Sequence, residues 1–265
     1  MTEAPTRKPL PLADCGVLIT GGTSGVGLAT AIQFAQAGVT RIGINGRDAA
    51  RGAKARAAVL AHAPEAQVEF LAGDCNDPAQ AAEVCEAARA RLGSVDALVN
   101  STVGPYGPTL FHDIPLDEIP LMVTKQMMAP LLTSRVVVPW MRERGGGAII
   151  NIASDAGKVA TPGESVLGAA MAGIIMFTRT LAIEGKRDGI RVNVITPSII
   201  EGTITYGKVM NDAFSGKLFG KAIKMAQLGV VQPDDLAALI VFLAGPQAAK
   251  LTGQAISVNG GISAA

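Results

Sequence analysis

The residues with the strongest claim to chemistry are the small ones at 20 to 27. An apolar run, Val17-Leu18-Ile19-Thr20, leads directly into Gly21-Gly22-Thr23-Ser24-Gly25-Val26-Gly27 and then into a segment of helical period. Glycines in such a turn permit its tight bend, let the backbone approach a pyrophosphate, and aim the first amides of the following helix at the anion. Thr20, Gly21, Ser24, Gly25, Val26 and Gly27 are therefore candidate dinucleotide contacts. The second apolar run ends in Ile44-Asn45-Gly46-Arg47-Asp48. A carboxylate at 46 would grip a free ribose 2′-hydroxyl; glycine leaves room instead, and the Arg47 guanidinium can pair a 2′-phosphate bidentately. NADP is favoured over NAD.

These groups must be held by a frame, and the chain alternates short apolar, β-branched runs with longer helix-period segments. The runs fall at 17 to 20, 42 to 44, 68 to 72, 97 to 99, 148 to 153, 192 to 196 and 255 to 258. Helices are expected at 25 to 37, 48 to 61, 78 to 92, 116 to 143, 164 to 186, 206 to 226 and 233 to 244, with Asp77 and Asp234 among the capping residues. Seven strands with intervening helices imply an α/β protein, a three-layer, doubly wound parallel sheet of the Rossmann type. It spans 14 to 265 as a single domain, after a polar, proline-bearing tail at 1 to 13 expected to be flexible. Ligands of such sheets sit at the carboxyl ends of the strands.

Bulk composition excludes several classes. The 265 residues are 49% hydrophobic and 17% charged, with 31 glycines, a balance suited to helices packed closely on a sheet. A net charge of +1 supplies no field to gather nucleic acid or an anionic membrane. Three cysteines, Cys15, Cys75 and Cys85, form no metal-ligand pattern and read as buried reduced thiols, so no metal is expected. The N-terminal residues lack the apolar core of a signal peptide, and no stretch reads as a membrane span, so a cytoplasmic location is expected.

From Val17 to the closing Gly253-Gln254-Ala255-Ile256-Ser257-Val258-Asn259-Gly260-Gly261 the chain resembles the short-chain dehydrogenase/reductase family. The T-G-x-x-x-G-x-G spacing at 20 to 27 is the family's. The resemblance implies that Asp74, beside Cys75, hydrogen-bonds the adenine edge, that Asn100 supports the cofactor from the fourth strand, and that Pro197 and Ile199 belong to the segment meeting the nicotinamide carboxamide. It also implies an orienting serine, a proton-exchanging tyrosine, a lysine that lowers the tyrosine's pKa, and an asparagine anchoring a relay water. Gly147-Ala148-Ile149-Ile150-Asn151-Ile152-Ala153-Ser154 puts Ser154 in the serine's place. Counting forward by the family's interval lands on Leu167 for tyrosine and Met171 for lysine, and counting back from Val136-Val137-Val138-Pro139 lands on Gln126 for asparagine. No tyrosine or lysine lies between Lys158 and Lys186.

Stand-ins are scarce. The two tyrosines, Tyr106 and Tyr206, fall in segments that would border the cleft; Lys125, His112 and Glu164 rank below them. Gly168, Ala169, Ala170, Ala172 and Gly173 give one helix a smooth face, which in the resembled family pairs across a two-fold axis. Lys208, Lys217, Lys221 and Lys224 offer attraction for an anionic substrate such as an acyl-CoA. Three readings follow: a non-catalytic subunit, in a homo-oligomer or beside an active paralogue in a hetero-oligomeric hydroxyacyl or ketoacyl dehydrogenase; an NADP(H)-dependent carbonyl/alcohol oxidoreductase with a borrowed proton donor; and a non-redox lyase or isomerase.

Overall fold

A computed structural model describes residues 9–265. Seven strands, β1 (Gly16–Thr20), β2 (Arg41–Gly46), β3 (Gln67–Ala72), β4 (Ala97–Asn100), β5 (Gly147–Ile152), β6 (Ile190–Pro197) and β7 (Ala255–Val258), pair in parallel in the order 3-2-1-4-5-6-7. The strand order reverses between β1 and β4, which opens a crevice at their carboxyl ends. The helices are α1 (Gly25–Gln36), α2 (Ala49–His62), α3 (Pro78–Leu92), α4 (Glu118–Arg144), α5 (Ser165–Gly185), α6 (Ile204–Asn211), α7 (Ala213–Met225) and α8 (Pro233–Ala244).

The two-residue period of the strands divides the core into two layers. Val17, Ile19, Ala97, Val99, Ala148 and Ile150 point to α1, α2 and α8, meeting Phe34, Val59, Leu236 and Ile240. Leu18, Leu98 and Ile149 point the other way, to Val84, Leu92, Val137 and Met141 on α3 and α4. Between the layers runs a ladder of buried polar groups. Thr20 and Thr133 hydroxyls donate to Asn100 Oδ1 at 3.3 and 2.8 Å, Asn100 Nδ2 donates to Asn151 Oδ1 at 2.9 Å, and Asn151 Nδ2 donates to the Thr178 hydroxyl at 2.8 Å. It ties β1, β4 and β5 to α4 and α5 with every amide group answered.

Three expectations are corrected. The segment read as one helix from 206 to 226 is two, because Asp212 turns extended and its carboxylate caps α7, accepting from the amides of Phe214 and Ser215. The cap of α8 is Gln232 rather than Asp234; Pro233 occupies the first helical position and Asp235 reaches back to the Gln232 amide. The stretch Ser165–Asp188 is long and apolar enough to cross a bilayer by length and composition, contrary to the sequence reading. One side of it, with Val166, Leu167, Ala170, Met171, Ile174 and Ile175, is buried in the fold, while Met176 and Ile183 are exposed. Of the tail at 1 to 13, residues 1 to 8 lie outside the described part, while Leu10 and Leu12 pack against the α1/α8 side of the core.

Candidate active site

A cleft of about 690 Å³ opens along the carboxyl ends of the strands. Its centre is the glycine turn between β1 and α1. Gly21 has φ +64°, and a Cβ there would lie 2.5 Å from the Ser101 carbonyl oxygen; a Cβ on Gly27 would fall 2.3 Å from the carbonyl oxygen of Gly21. Only glycine fits either place. Ser24 stands at the N-cap of α1 yet its side chain makes no capping bond, so the first helical amides are open to an anion from the cleft. Gly21, Ser24, Gly25 and Val26 line the cleft. Thr20 and Gly27 do not: Thr20 lies fully buried with its hydroxyl bonded toward β4, and Gly27 packs beneath Gly21, so both shape the turn from behind.

One end of the cleft runs over β2 and β3. Gly46 abuts Thr23 so closely that a Cβ would stand 2.6 Å from Thr23 Cγ2. The exposed Arg47 and, behind it, Arg51 edge the opening. Asp74 enters from the turn after β3, its Oδ2 accepting from Lys125 Nζ at 2.8 Å and its Oδ1 from the Asn76 amide and side chain at 3.0 and 3.1 Å. Burial pushes this carboxyl up, but the Lys125 and Asn76 bonds outweigh it and hold it at about 2. Cys75 lines the wall as an inert thiol, donating to Asn45 Oδ1 at 3.2 Å and pushed by burial to about 12. Asn100, expected at the cofactor, does not line the cleft: both ends of its amide are spent on the buried ladder.

The other end lies over β4, β5 and β6. Ser154 follows β5 and caps a short turn (Asp155–Gly157), its Oγ accepting from the Ala156 amide at 3.2 Å. That turn is anchored by Asp155, whose carboxylate accepts from Ser263 at 2.8 Å, Ser257 at 3.3 Å and Asn259. Leu167 and Met171 form an apolar floor, 7% and 9% exposed. Gln126 also lines the cleft, but its Oε1 is occupied by the Gly104 amide at 3.2 Å. Pro197 and Ile199 close the side beneath α6, and Tyr106 and Tyr206 stand at the border. Thr203 spends its hydroxyl on the Ile200 carbonyl and the Tyr206 amide, as the cap of α6.

Two cleft residues were undervalued in the sequence. Lys125 reaches Asp74 across 51 positions of chain, which no local pattern reveals. Glu164 lines the cleft just before α5, and burial pushes its carboxyl up to about 7, Thr161 opposing this only in part. The one available signal was an acid placed three and seven residues before Leu167 and Met171, hence on their helical face.

From Gly21 of the glycine turn to the last residues after β7, positions 21–263, the chain matches the family described as enoyl-(acyl carrier protein) reductase. It belongs to the short-chain dehydrogenase/reductase family. D-beta-hydroxybutyrate dehydrogenase of Rhizobium meliloti (strain 1021) is 30% identical to it over 254 residues, covering 93% of this chain and 98% of the relative. Acetoacetyl-CoA reductase of Shinella zoogloeoides is 32% identical over 246 residues, covering 92% and 96%. The structure of 7 alpha-hydroxysteroid dehydrogenase complexed with NADH and 7-oxo glycochenodeoxycholic acid superimposes with a TM-score of 0.83 at 27% identity, over 95% of each chain.

A short-chain dehydrogenase/reductase employs a nicotinamide dinucleotide, and the cleft fits one. The side-chain-free cradle at Gly21 and the uncapped α1 amides suit a pyrophosphate, and the apolar floor beside Ser154 suits a flat, uncharged ring. When bound, that cofactor supplies hydride transfer. The glycine turn and the first amides of α1 would hold its pyrophosphate, and the floor beside Ser154 would take its ring.

Proposed function

We propose that this short-chain dehydrogenase/reductase binds NADP(H) but leaves proton transfer to a catalytically intact partner of the same family, in an oligomer acting on a hydroxyacyl or ketoacyl substrate of the acyl-CoA type. The observation that carries this reading is the floor made by Leu167 and Met171 beside Ser154. Neither side chain can hold or release a proton, and Gln126, tied to Gly104, is no replacement for a water-anchoring asparagine. Loss of a general acid–base group removes on the order of 10² to 10⁴ in rate. Gly46 and Arg47 favour NADP, and the names of the relatives, a hydroxybutyrate dehydrogenase and an acetoacetyl-CoA reductase, supply the substrate class. Exposed Ala169, Ala172 and Met176 give α5 a smooth outer face for a partner subunit. The reading places the oligomer in the cytoplasm, with no part for nucleic acid or membrane.

A second reading keeps the chain an oxidoreductase, with Tyr106 or Tyr206 as proton donor, because both border the cleft. One set of measurements separates them. Calorimetric titration with NADPH, NADP, NADH and NAD should give micromolar binding with the phosphorylated pair preferred, and the purified chain should not turn over acetoacetyl-CoA. Turnover abolished by Tyr106→Phe or Tyr206→Phe would establish the second reading, and absence of binding would remove the cofactor from both.

A further inference from the structure

The β2–β3 end of the cleft contains an ion pair that the reading above does not use. Lys125 projects from α4 to meet Asp74 after β3, and both line the cleft. Its place along a bound dinucleotide follows from the topology. The pyrophosphate cradle lies at the end of β1; Ser154, Leu167 and Met171 lie on the β5 side of it, and Gly46, Arg47 and Asp74 on the β2–β3 side. The reacting ring belongs with the first group, so the adenosine belongs with the second. Each carboxylate oxygen can accept two hydrogen bonds. Asp74 Oδ1 has both positions taken by Asn76, whereas Oδ2 has one, taken by Lys125. One acceptor position is left at the depth of the base, and the exocyclic amine is the donor that adenine offers.

We propose that Lys125 is a positioning residue for adenine recognition: its ammonium fixes the Asp74 carboxylate so that the remaining Oδ2 lone pair accepts from the exocyclic amine of the dinucleotide. This rests on the dinucleotide-binding reading given above. Around Asp74 the charged and titratable groups are few. Lys125 comes from α4, Asp77 is engaged in capping α3, Cys75 is a buried thiol, and Arg47 and Arg51 line the cleft from the β2–α2 side without forming an ion pair with Asp74. Without Lys125, burial of Asp74 is opposed by Asn76 alone. The carboxyl then gains a proton at a pH where the wild type is still ionised, and a protonated Asp74 competes for the amine with the wrong polarity.

The test is calorimetric titration of the wild type, Lys125→Met and Lys125→Arg with NADP and with its 1,N6-etheno derivative, whose modified amine has no hydrogen to donate, at about pH 7.5 and about pH 5. The wild type should prefer NADP by about tenfold or more, the range of a charge-assisted hydrogen bond. Lys125→Met should weaken NADP about fivefold at the higher pH and at least as much at the lower, each against wild type at the same pH, and leave the etheno derivative within about twofold. Lys125→Arg should restore both affinity and pH response. Equal weakening of both dinucleotides by Lys125→Met would make Lys125 a plain attracting charge and overturn the proposal, as would equal binding of both by the wild type. If the wild type binds neither, the dinucleotide reading itself falls.

Discussion

Leu167 and Met171 lie one turn apart on the cleft side of α5, both more than nine-tenths buried, in the same cavity as Ser154. A tyrosine and a lysine at this spacing would share one helix face and could act as a pair. Installing them as Leu167→Tyr with Met171→Lys is expected to raise NADPH-dependent reduction of acetoacetyl-CoA at least about tenfold above the wild type, while neither single change does so, because acid–base groups that act as a unit are non-additive. Initial rates of cofactor oxidation measure this.

Gly21→Ala is expected to abolish dinucleotide binding in titration, since the new Cβ strikes the Ser101 carbonyl in a backbone conformation that disfavours side chains. Gly38→Ala is the contrast. Gly38 has positive φ, but a Cβ there meets nothing, so it should cost about 1 kcal/mol of stability and leave binding intact.

Glu164 links stability to pH. Its carboxyl is raised from 4.5 to about 7 in the fold, so the native state holds this proton more tightly than the unfolded chain does. Wild-type stability should therefore fall as pH climbs from 4.5 through about 7 and level off above it. Glu164→Gln, which is neutral throughout, should melt together with the wild type at the acid end and several degrees higher at the alkaline end. Thermal melts across that interval decide it; a constant offset between the two curves would contradict the assignment.

Arg191 is buried at 7% exposure, and its guanidinium donates to the carbonyls of Leu243, Ala244 and Gly245, where α8 ends, and of Ala248 in the next turn. Burial lowers its pKa, and the charge is answered by three carbonyls at the C-terminus of α8 and a fourth, Ala248, in the turn that follows. Arg191→Met should cost on the order of 3 kcal/mol in denaturant unfolding, the carbonyls being left without donors.

Much of this was legible in the chain. Strand positions followed from β-branched runs, and the glycine turn stood out as a candidate anion site because its neighbours were a strand and a helix. What escaped was long-range or conditional. Asn100 was visible as polar in an apolar strand, but whether its amide faced a ligand or Asn151 depends on the neighbouring strand's register. The break at Asp212 was hidden because a cap and an exposed helical acid look alike until the backbone turns. Lys125 could not be matched with Asp74 before the fold brought α4 against the end of β3.

The ladder of Thr20, Asn100, Asn151 and Thr178 is buried and lines no part of the cleft that Leu167 and Met171 floor. The hidden amides keep the central strands in register through bonds in which the side chains of the cleft floor take no part. The cleft can therefore keep its shape whatever side chains line its floor, because the amides that hold the strand ends together are spent on one another and not on a ligand.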